Sequence, residues 1–192
     1  MKKTFALVAL GTATIVTIGA LPASAERPGN VPVEEAIPIL ASEQAAADQP
    51  PAQLKLEDLG GVQPETVRYL GEHENFKYWV GRTEADQVCL IALAPSESYS
   101  AGAACAAVPD FYGHGISLKT GSAPDTDPVA YLLPADVSAG SVVPTNALSR
   151  ARSEEGGNLL VVSPAVNADL KPAKVSRSNG ISYNFAPLPE NR

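Results

Sequence analysis

The alternation of apolar and polar positions in the middle of the chain predicts β-strands. Residues 87–94 (QVCLIALA) are apolar at both alternating sets of positions, which is typical of a central strand covered on both faces. Residues 67–70 and 76–81 precede this strand, and the five residues between them (GEHEN) predict a hairpin loop. We therefore expect residues 87–94 to form the centre of an antiparallel sheet.

Shorter apolar runs in the second half predict further strands, separated by turns rich in Gly, Pro, Ser, Asn and Asp. The candidates are residues 103–108, 116–119, 129–133, 159–163 and 181–185, with 142–143 as an additional edge strand. Only residues 146–155 (NALSRARSEE) favour a helix there. The expected fold is mainly β, a small antiparallel sheet or a partly open sandwich or barrel with one or two short helices. An α+β fold is the alternative.

The first 25 residues have the pattern of a secretory signal peptide. Lys2 and Lys3 precede 17 uncharged, mostly apolar residues, and Ala-Ser-Ala at residues 23–25 is a cleavage site for signal peptidase. An uncleaved anchor is the alternative, although 17 residues are at the short limit for spanning a bilayer. Cleavage after Ala25 would release a mature chain that is secreted or associated with the cell envelope, with no membrane attachment.

Residues 26–60 form a proline-rich acidic arm before a single β-rich domain over residues 61–192. Residues 39–48 (ILASEQAAAD) favour a short helix, and Pro50 and Pro51 would end it. The arm has five prolines between residues 26 and 51 and few large apolar side chains. We therefore expect residues 26 to about 51 to be poorly ordered, because little apolar burial offsets the entropy of ordering them.

The charge of the chain is negative and uneven. Without the two leader lysines, 12 basic residues remain against 21 acidic ones, a net charge of −9. This balance argues against nucleic acid or an anionic membrane as a partner, because both would repel the protein. Residues 34–74 hold nine acidic and two basic residues, which we interpret as a solvated face, with an acidic docking segment as the alternative.

The two cysteines, Cys89 and Cys105, predict one disulfide. They would lie opposite each other on adjacent antiparallel strands, within bonding reach, and disulfides persist in extracellular compartments. Two buried thiols or an intermolecular bridge are the alternatives. A redox-active pair is not expected, because the chain has no Cys-x-x-Cys motif.

Candidate catalytic and metal-binding residues are few. His73 and His114 are the only histidines, and neither lies at a spacing typical of zinc ligands, so we interpret both as loop residues. A metal or proton-transfer site at Glu72-His73-Glu74 is the alternative. The chain has neither the Gly-x-Ser-x-Gly motif nor the Ser-x-x-Lys motif. We therefore predict no catalytic residue, no metal and no cofactor.

Two weaker patterns also favour structural interpretations. Ser117 and Lys119 would share one face of a strand, where a Ser–Lys dyad is conceivable but two outward polar side chains are the simpler reading. Asp125 and Asp127 supply two oxygen ligands that calcium could use, but the remaining positions of a calcium loop are missing. We expect a solvated turn there.

Aromatic residues give the clearest binding hypothesis. In residues 76–80 (FKYWV), alternation places Phe76, Tyr78 and Val80 on the core face and Trp79 on the opposite face. We predict Trp79 and Tyr99 as a binding surface for a protein or glycan, with Trp79 packed under a loop or under the arm as the alternative.

Short motifs in residues 40–135 resemble those of small exported proteins of actinobacteria. The matching stretches are residues 46–50 (AADQP), 67–70 (VRYL), 78–79 (YW) and 88–91 (VCLI), followed by a second cysteine after a short turn. The resemblance implies export and a one-disulfide β domain, and it implies no active site because these proteins are uncharacterised.

The sequence therefore favours a secreted, non-catalytic module that binds a protein or a component of the cell envelope. One alternative is a small secreted enzyme, a hydrolase, with an unrecognised site. Another is an inhibitor of secreted hydrolases that presents the loop at residues 95–102.

Overall fold

Most of the predicted strands form two antiparallel sheets in the computed structural model, which describes residues 31–95, 100–121, 123, 125–143, 152–153 and 159–189. The first sheet contains β1 (Arg68–His73), β2 (Phe76–Arg82), β3 (Gln87–Leu93) and β4 (Ala101–Ala107), in chain order. The second contains, in spatial order, β5 (Ile116–Lys119), β6 (Val129–Leu132), β8 (Leu159–Val162) and the two-residue β7 (Arg152–Ser153). A hairpin of β9 (Ala173–Ser176) and β10 (Ser182–Phe185) follows.

The helices of the described residues are short. They are α1 (Val33–Ala36), α2 (Val108–His114) and α3 (Pro164–Asp169), with 3-10 turns at Pro38–Ala41, Ala46–Asp48, Leu56–Asp58, Pro64–Thr66 and Ala139–Ser141. The prediction of a mainly β fold with short helices is confirmed. The predicted signal peptide and most of the helix predicted over residues 146–155 lie outside the described residues.

The two sheets pack face to face around one apolar core. The first sheet contributes Leu70, Phe76, Tyr78, Val80, Val88 and Leu90, and the second contributes Ile116, Ala130, Leu132, Leu159 and Val161. These are the residues of one alternating set on each strand, as expected where one face of each sheet is buried against the other. The prediction that Phe76, Tyr78 and Val80 face the core is confirmed.

The outer face of each sheet is also covered. Residues 54–62, which we call the cover segment, place Leu56 and Val62 against the Trp79 side of the first sheet. On the second sheet, α3 and the β9–β10 hairpin cover the outer face and form a second apolar cluster. The protein thus has four layers, and both sheets lie in its interior.

Several local predictions need correction. The first hairpin has a two-residue turn, Glu74 and Asn75, instead of a five-residue loop, because β1 continues past a bulge to His73. Both turn residues have positive φ (49° and 65°), as two-residue hairpin turns of this hand require. Val142 and Val143 are buried after a 3-10 turn and form no strand. Helices α1, α2 and α3 and strands β7 and β9 were not predicted, and β7 lies within the helix predicted over residues 146–155.

The arm docks on the domain between residues 31 and 51, so the expectation of disorder there is wrong. Val33, Ala36 and Ile37 are at most 5% exposed and belong to the core between the sheets. The helix predicted over residues 39–48 is also wrong, since two separate 3-10 turns occupy that stretch. These three apolar side chains are sufficient to order the arm, because they are almost completely buried between the two sheets.

Polar contacts then attach the arm to the edge strand β1. The Arg68 guanidinium, itself buried, donates to Ser42 O from Nε (3.1 Å) and Nη2 (2.5 Å). Asp48 Oδ1 accepts the backbone N–H of Tyr69 at 2.9 Å, and Gln44 Nε2 donates to Val67 O at 3.1 Å. The bond from Tyr69 thus occupies one backbone N–H of β1 that would otherwise be available to another chain.

Truncating Ile37 tests the docking of the arm. We expect Ile37→Ala to lower the free energy of unfolding by about 2–5 kcal/mol, the cost of removing a large aliphatic side chain from a closed core. The control Glu35→Ala alters an exposed residue of α1, two positions before Ile37, and should change the free energy of unfolding by less than about 0.5 kcal/mol. Urea unfolding measures both, and equal values for the two variants would show that the arm is not part of the core.

Candidate functional site

The disulfide lies at the middle of the β3–β4 pair. Cys89 and Cys105 are directly opposite each other, with Cα atoms 4.1 Å apart and sulfur atoms 2.04 Å apart. The predicted pairing is confirmed, and there is no free cysteine. The bond lies on the outer face of the first sheet, within the cluster that the cover segment buries.

The cover segment approaches the disulfide closely at one glycine. Gly60 has φ of +84°, and a Cβ at this position would lie 3.0 Å from Cys105 Sγ. A larger residue would therefore be both strained and crowded against the sulfur. The glycine lets residues 54–62 lie directly over the sheet.

Trp79 is buried under the cover segment, at 2% exposure, and its ring lies 5.5 Å from that of Tyr69. The prediction of Trp79 as part of a binding surface is therefore wrong, and the packed alternative is correct. The physical reason is the cover segment, whose Leu56 and Val62 close this face. Trp79 Nε1 has no acceptor among the described residues. Tyr99 lies outside the described residues.

Two open grooves flank the cover segment. The larger, about 620 Å³, lies between residues 44–57 and Pro64–Glu65, and Pro50, Pro51 and Leu54 form part of its wall. The smaller, about 460 Å³, is lined by Gly60 to Pro64, Thr83 to Ala85, Gln87 and Glu57. Glu57 and Pro64 line both grooves, so the two grooves are adjacent on this side of the protein.

The two histidines do not form a site together. His73 ends β1 and lies 3.9 Å from Glu74 Oε1, whereas His114 ends α2. Glu72 pairs with Lys77 at 3.9 Å across the hairpin instead of facing His73. In the part of the chain that the structure describes, no group of three or more His, Cys, Asp or Glu residues could hold a metal ion.

The remaining sequence candidates occupy structural positions. Ser117 and Lys119 both lie in β5, paired with Tyr131 and Val129 of β6. Asp127 Oδ2 accepts the backbone N–H of Ala123 at 2.6 Å, so this carboxylate closes the turn that precedes β6. Asp side chains typically accept backbone hydrogen bonds of this kind in turns.

An unpredicted polar cluster joins α2 to the C-terminal hairpin. The Arg177 side chain is only 4% exposed, with Nε 2.6 Å from Asp136 Oδ2 and its guanidinium carbon 3.8 Å from the centre of the Tyr112 ring. Tyr112 donates to Asp136 at 3.0 Å and accepts from Asn179 at 3.2 Å. Burial, aided by the bond to Asp136, raises the pKa of Tyr112 above its ordinary value. The cluster fixes the hairpin tip against α2.

A second buried polar ring holds the C-terminal segment. Tyr131 donates to Asn167 Oδ1, Asn167 Nδ2 donates to Leu188 O at 3.0 Å, and Leu188 N–H donates back to the Tyr131 hydroxyl at 2.9 Å. Burial raises the pKa of Tyr131 to about 12. Sequence reasoning missed both clusters because their members lie 21 to 67 residues apart and share no local motif.

Comparison with known proteins adds no functional assignment. No protein-family model matches the chain, and neither a curated protein nor a solved structure does. None of the helices in the described ranges has the length and apolarity needed to span a bilayer.

Removing the disulfide tests its contribution to stability. For a loop of this length, Cys89→Ala/Cys105→Ala should lower the free energy of unfolding by about 3 kcal/mol, because the unfolded chain regains the entropy of the open loop. Urea unfolding of the oxidised protein, the reduced protein and the variant measures the effect. The reduced protein and the variant should have the same free energy of unfolding. Protein purified from culture fluid should bind no alkylating reagent before reduction, and two reactive thiols would contradict the assignment.

Tyr131 gives a prediction for pH dependence. Because its pKa is raised in the folded state, Tyr131 contributes stability that is complete below the unfolded pKa of about 10 and is lost as pH rises towards 12. Tyr131→Phe should cost about 1–3 kcal/mol at pH 7, since it leaves Leu188 N–H without its acceptor, but should lose less stability between pH 10 and 12. Thermal unfolding against pH measures this, with Asn184→Ala, exposed on β10, as control. Parallel pH profiles for Tyr131→Phe and the unmodified protein would contradict the assignment.

Proposed function

We propose that the mature chain is an exported, non-catalytic module that binds a protein or a component of the cell envelope. The observation that carries the proposal is the pair of adjacent open grooves beside the cover segment. A binding module needs such an accessible surface on a rigid framework, because ordering a mobile surface on binding would reduce affinity.

The walls of these grooves are firmly attached to the first sheet. Val62 forms a β-bridge with Thr83, and Gln63 N–H donates to Arg82 O at 2.8 Å. Leu56 and Val62 are buried in the cluster around the disulfide. The surface is therefore preorganised, which supports a role in recognition.

The chemistry of the groove lining also supports binding more than catalysis. The described residues that line the two grooves are chiefly Pro, Gly, Ala, Leu, Gln and Glu, and none of them is Ser, Cys or His. Glu57, Glu65 and Glu84 are exposed there, with Lys55 as the single basic residue. Such a surface offers hydrogen bonds, apolar contact and negative charge to a ligand.

Export is supported by two independent features. Residues 1–25 have the pattern of a cleavable leader. The Cys89–Cys105 bond fits an oxidising, extracellular compartment, where disulfides persist.

Obstructing the grooves tests the proposal. Ala52 and Ala85 are exposed and line the larger and the smaller groove respectively. Ala52→Arg or Ala85→Arg should weaken binding to the fraction of isolated cell wall or secreted protein that retains the unmodified protein, by about tenfold or more. Ala47→Arg is the matched control, since Ala47 is exposed on the same arm but lines neither groove.

The readouts are sedimentation with wall fractions and surface-immobilised binding, together with a melting curve for each variant. Equal binding by all three arginine variants would contradict the proposal. Hydrolytic turnover of a model substrate that disappears in His73→Ala or His114→Ala would favour the enzyme alternative instead.

A further inference from the structure

The two edges of the first sheet differ in how they are protected. At the outer edge of β1, Asp48 of the arm accepts the Tyr69 N–H, and Gln44 donates to Val67 O just before the strand. Strand β4, at the opposite edge, receives no comparable cover. Apart from its pairing with β3, no hydrogen bond between described residues reaches residues 101–106, whereas Ala107 is the N-cap of α2.

The register of β3 and β4 identifies the free backbone groups. Ala94 N–H donates to Ser100 O at 2.8 Å, so the even-numbered residues of β4 exchange hydrogen bonds with β3. The odd-numbered residues Ala101, Ala103 and Cys105 therefore direct their N–H and C=O groups away from the sheet, whereas the C=O group of Ala107 belongs to the N-terminus of α2. The short Cα separation of the disulfide pair, 4.1 Å, is typical of a pair without mutual hydrogen bonds and agrees with this assignment.

Strand β5 does not occupy this edge. A Cβ built on Gly102 would lie 2.8 Å from Thr120 Oγ1 and 3.7 Å from Leu118 Cδ1. Gly102 belongs to the set of β4 residues whose side chains face the core, together with Ala104 and Ala106. Residues of β5 and the following Thr120 therefore lie against the face of β4 and not beside its outer edge.

The sequence of β4 (AGAACAA) has none of the usual protections of an edge strand. It contains no charge and no proline, and its seven residue pairs with β3 run without a bulge. The disulfide at Cys105 holds the strand in place, so little order must be gained on binding. Small side chains also leave room on both faces for the alternate side chains of an added strand.

The charge around β4 indicates which ligand suits it. The smaller groove adjoins the Cys105–Ala107 end of the strand, because Gly60 lies over Cys105 and Gln87 is paired with Ala107. Its lining includes the exposed Glu57 and Glu84 and no basic residue. Side chains of an added strand on the disulfide-bearing face would point alongside this groove.

We infer that β4 binds an extended basic peptide segment of a partner protein as a fifth strand of the first sheet. Backbone hydrogen bonds to Ala103 and Cys105 supply affinity, and Lys or Arg side chains at alternate positions of the peptide meet Glu57 and Glu84. The inference rests on the proposed function, since it names the ligand class of a binding module. A second copy of the chain suits the site less well, because its β4 would bring no positive charge to the groove.

Synthetic peptides test the inference without altering the protein. An eight-residue peptide that alternates Lys with Val should bind the mature protein and should lose about tenfold or more in affinity when Glu replaces Lys. N-methylation of one alternate set of its backbone amides should abolish binding, whereas methylation of the other set should have little effect, because only one set faces β4. Isothermal calorimetry measures each affinity.

Amide hydrogen exchange locates the site. In the free protein, the amides of Ala103 and Cys105 should exchange rapidly while those of Ala104 and Ala106 are protected. Addition of the peptide should slow exchange at Ala103 and Cys105. Protection of these amides in the free protein at low concentration would show that the edge is already covered, and protection that grows with protein concentration would assign the edge to a second copy.

Protein variants separate this inference from the proposed function. Ala103→Pro removes an outward N–H and should abolish peptide binding with an intact disulfide and little change in melting temperature, because edge strands accept proline at such positions. Glu84→Lys should weaken binding of the basic peptide by about tenfold and leave the affinity for a peptide that alternates Thr with Val unchanged. If the groove variant Ala52→Arg loses its envelope or protein ligand while no peptide binds the unmodified protein, the proposed function stands and this inference fails.

Discussion

Strand β3 is apolar on both of its faces, and the rest of the structure is arranged to keep both faces out of water. Six of its seven residues are buried. Its inner face packs against the second sheet and the docked arm, and its outer face packs under the cover segment. Because apolar burial stabilises by roughly 25 cal/mol per Å², neither layer is dispensable. Residues 31–62 are therefore layers of the core, although their composition is typical of a linker.

Covering two faces leaves the two edges of the sheet, and the chain treats them differently. The arm that packs into the inner core continues beside β1, where Asp48 accepts the backbone N–H of Tyr69. Strand β4 has only Ala, Gly and Cys side chains, which bury little apolar area of their own. A disulfide worth about 3 kcal/mol offsets this deficit by attaching β4 covalently to β3. The disulfide thus stabilises the position of β4, which side-chain packing alone would hold weakly. It leaves the outer edge of β4 uncovered.

Local patterns in the sequence were sufficient for most of the strands and for the disulfide, but not for β7 or β9. Apolar runs and alternation identified β2, β3 and β10, and the positions of Cys89 and Cys105 on adjacent strands identified their pairing. Alternation also placed Trp79 opposite Tyr78, but it could not say what covers Trp79, because the cover segment is distant in sequence from that face. Docking of Ile37 and the contact of Arg177 with Asp136 likewise depend on surfaces that exist only after the sheets have assembled.

The polar groups of the described residues divide into two kinds, and the division bears on function. Arg177, Tyr131 and Arg68 are buried, and most of their polar atoms find partners that connect segments distant in sequence. Their role is to close the fold, since a buried donor or acceptor without a partner costs about 1–3 kcal/mol. The odd-numbered residues of β4, by contrast, direct backbone groups away from the first sheet, and the exposed carboxylates of the smaller groove lie nearby. A ligand gains affinity where it supplies partners for hydrogen-bonding groups that the fold does not use. This surface offers it backbone hydrogen bonds, space and negative charge together.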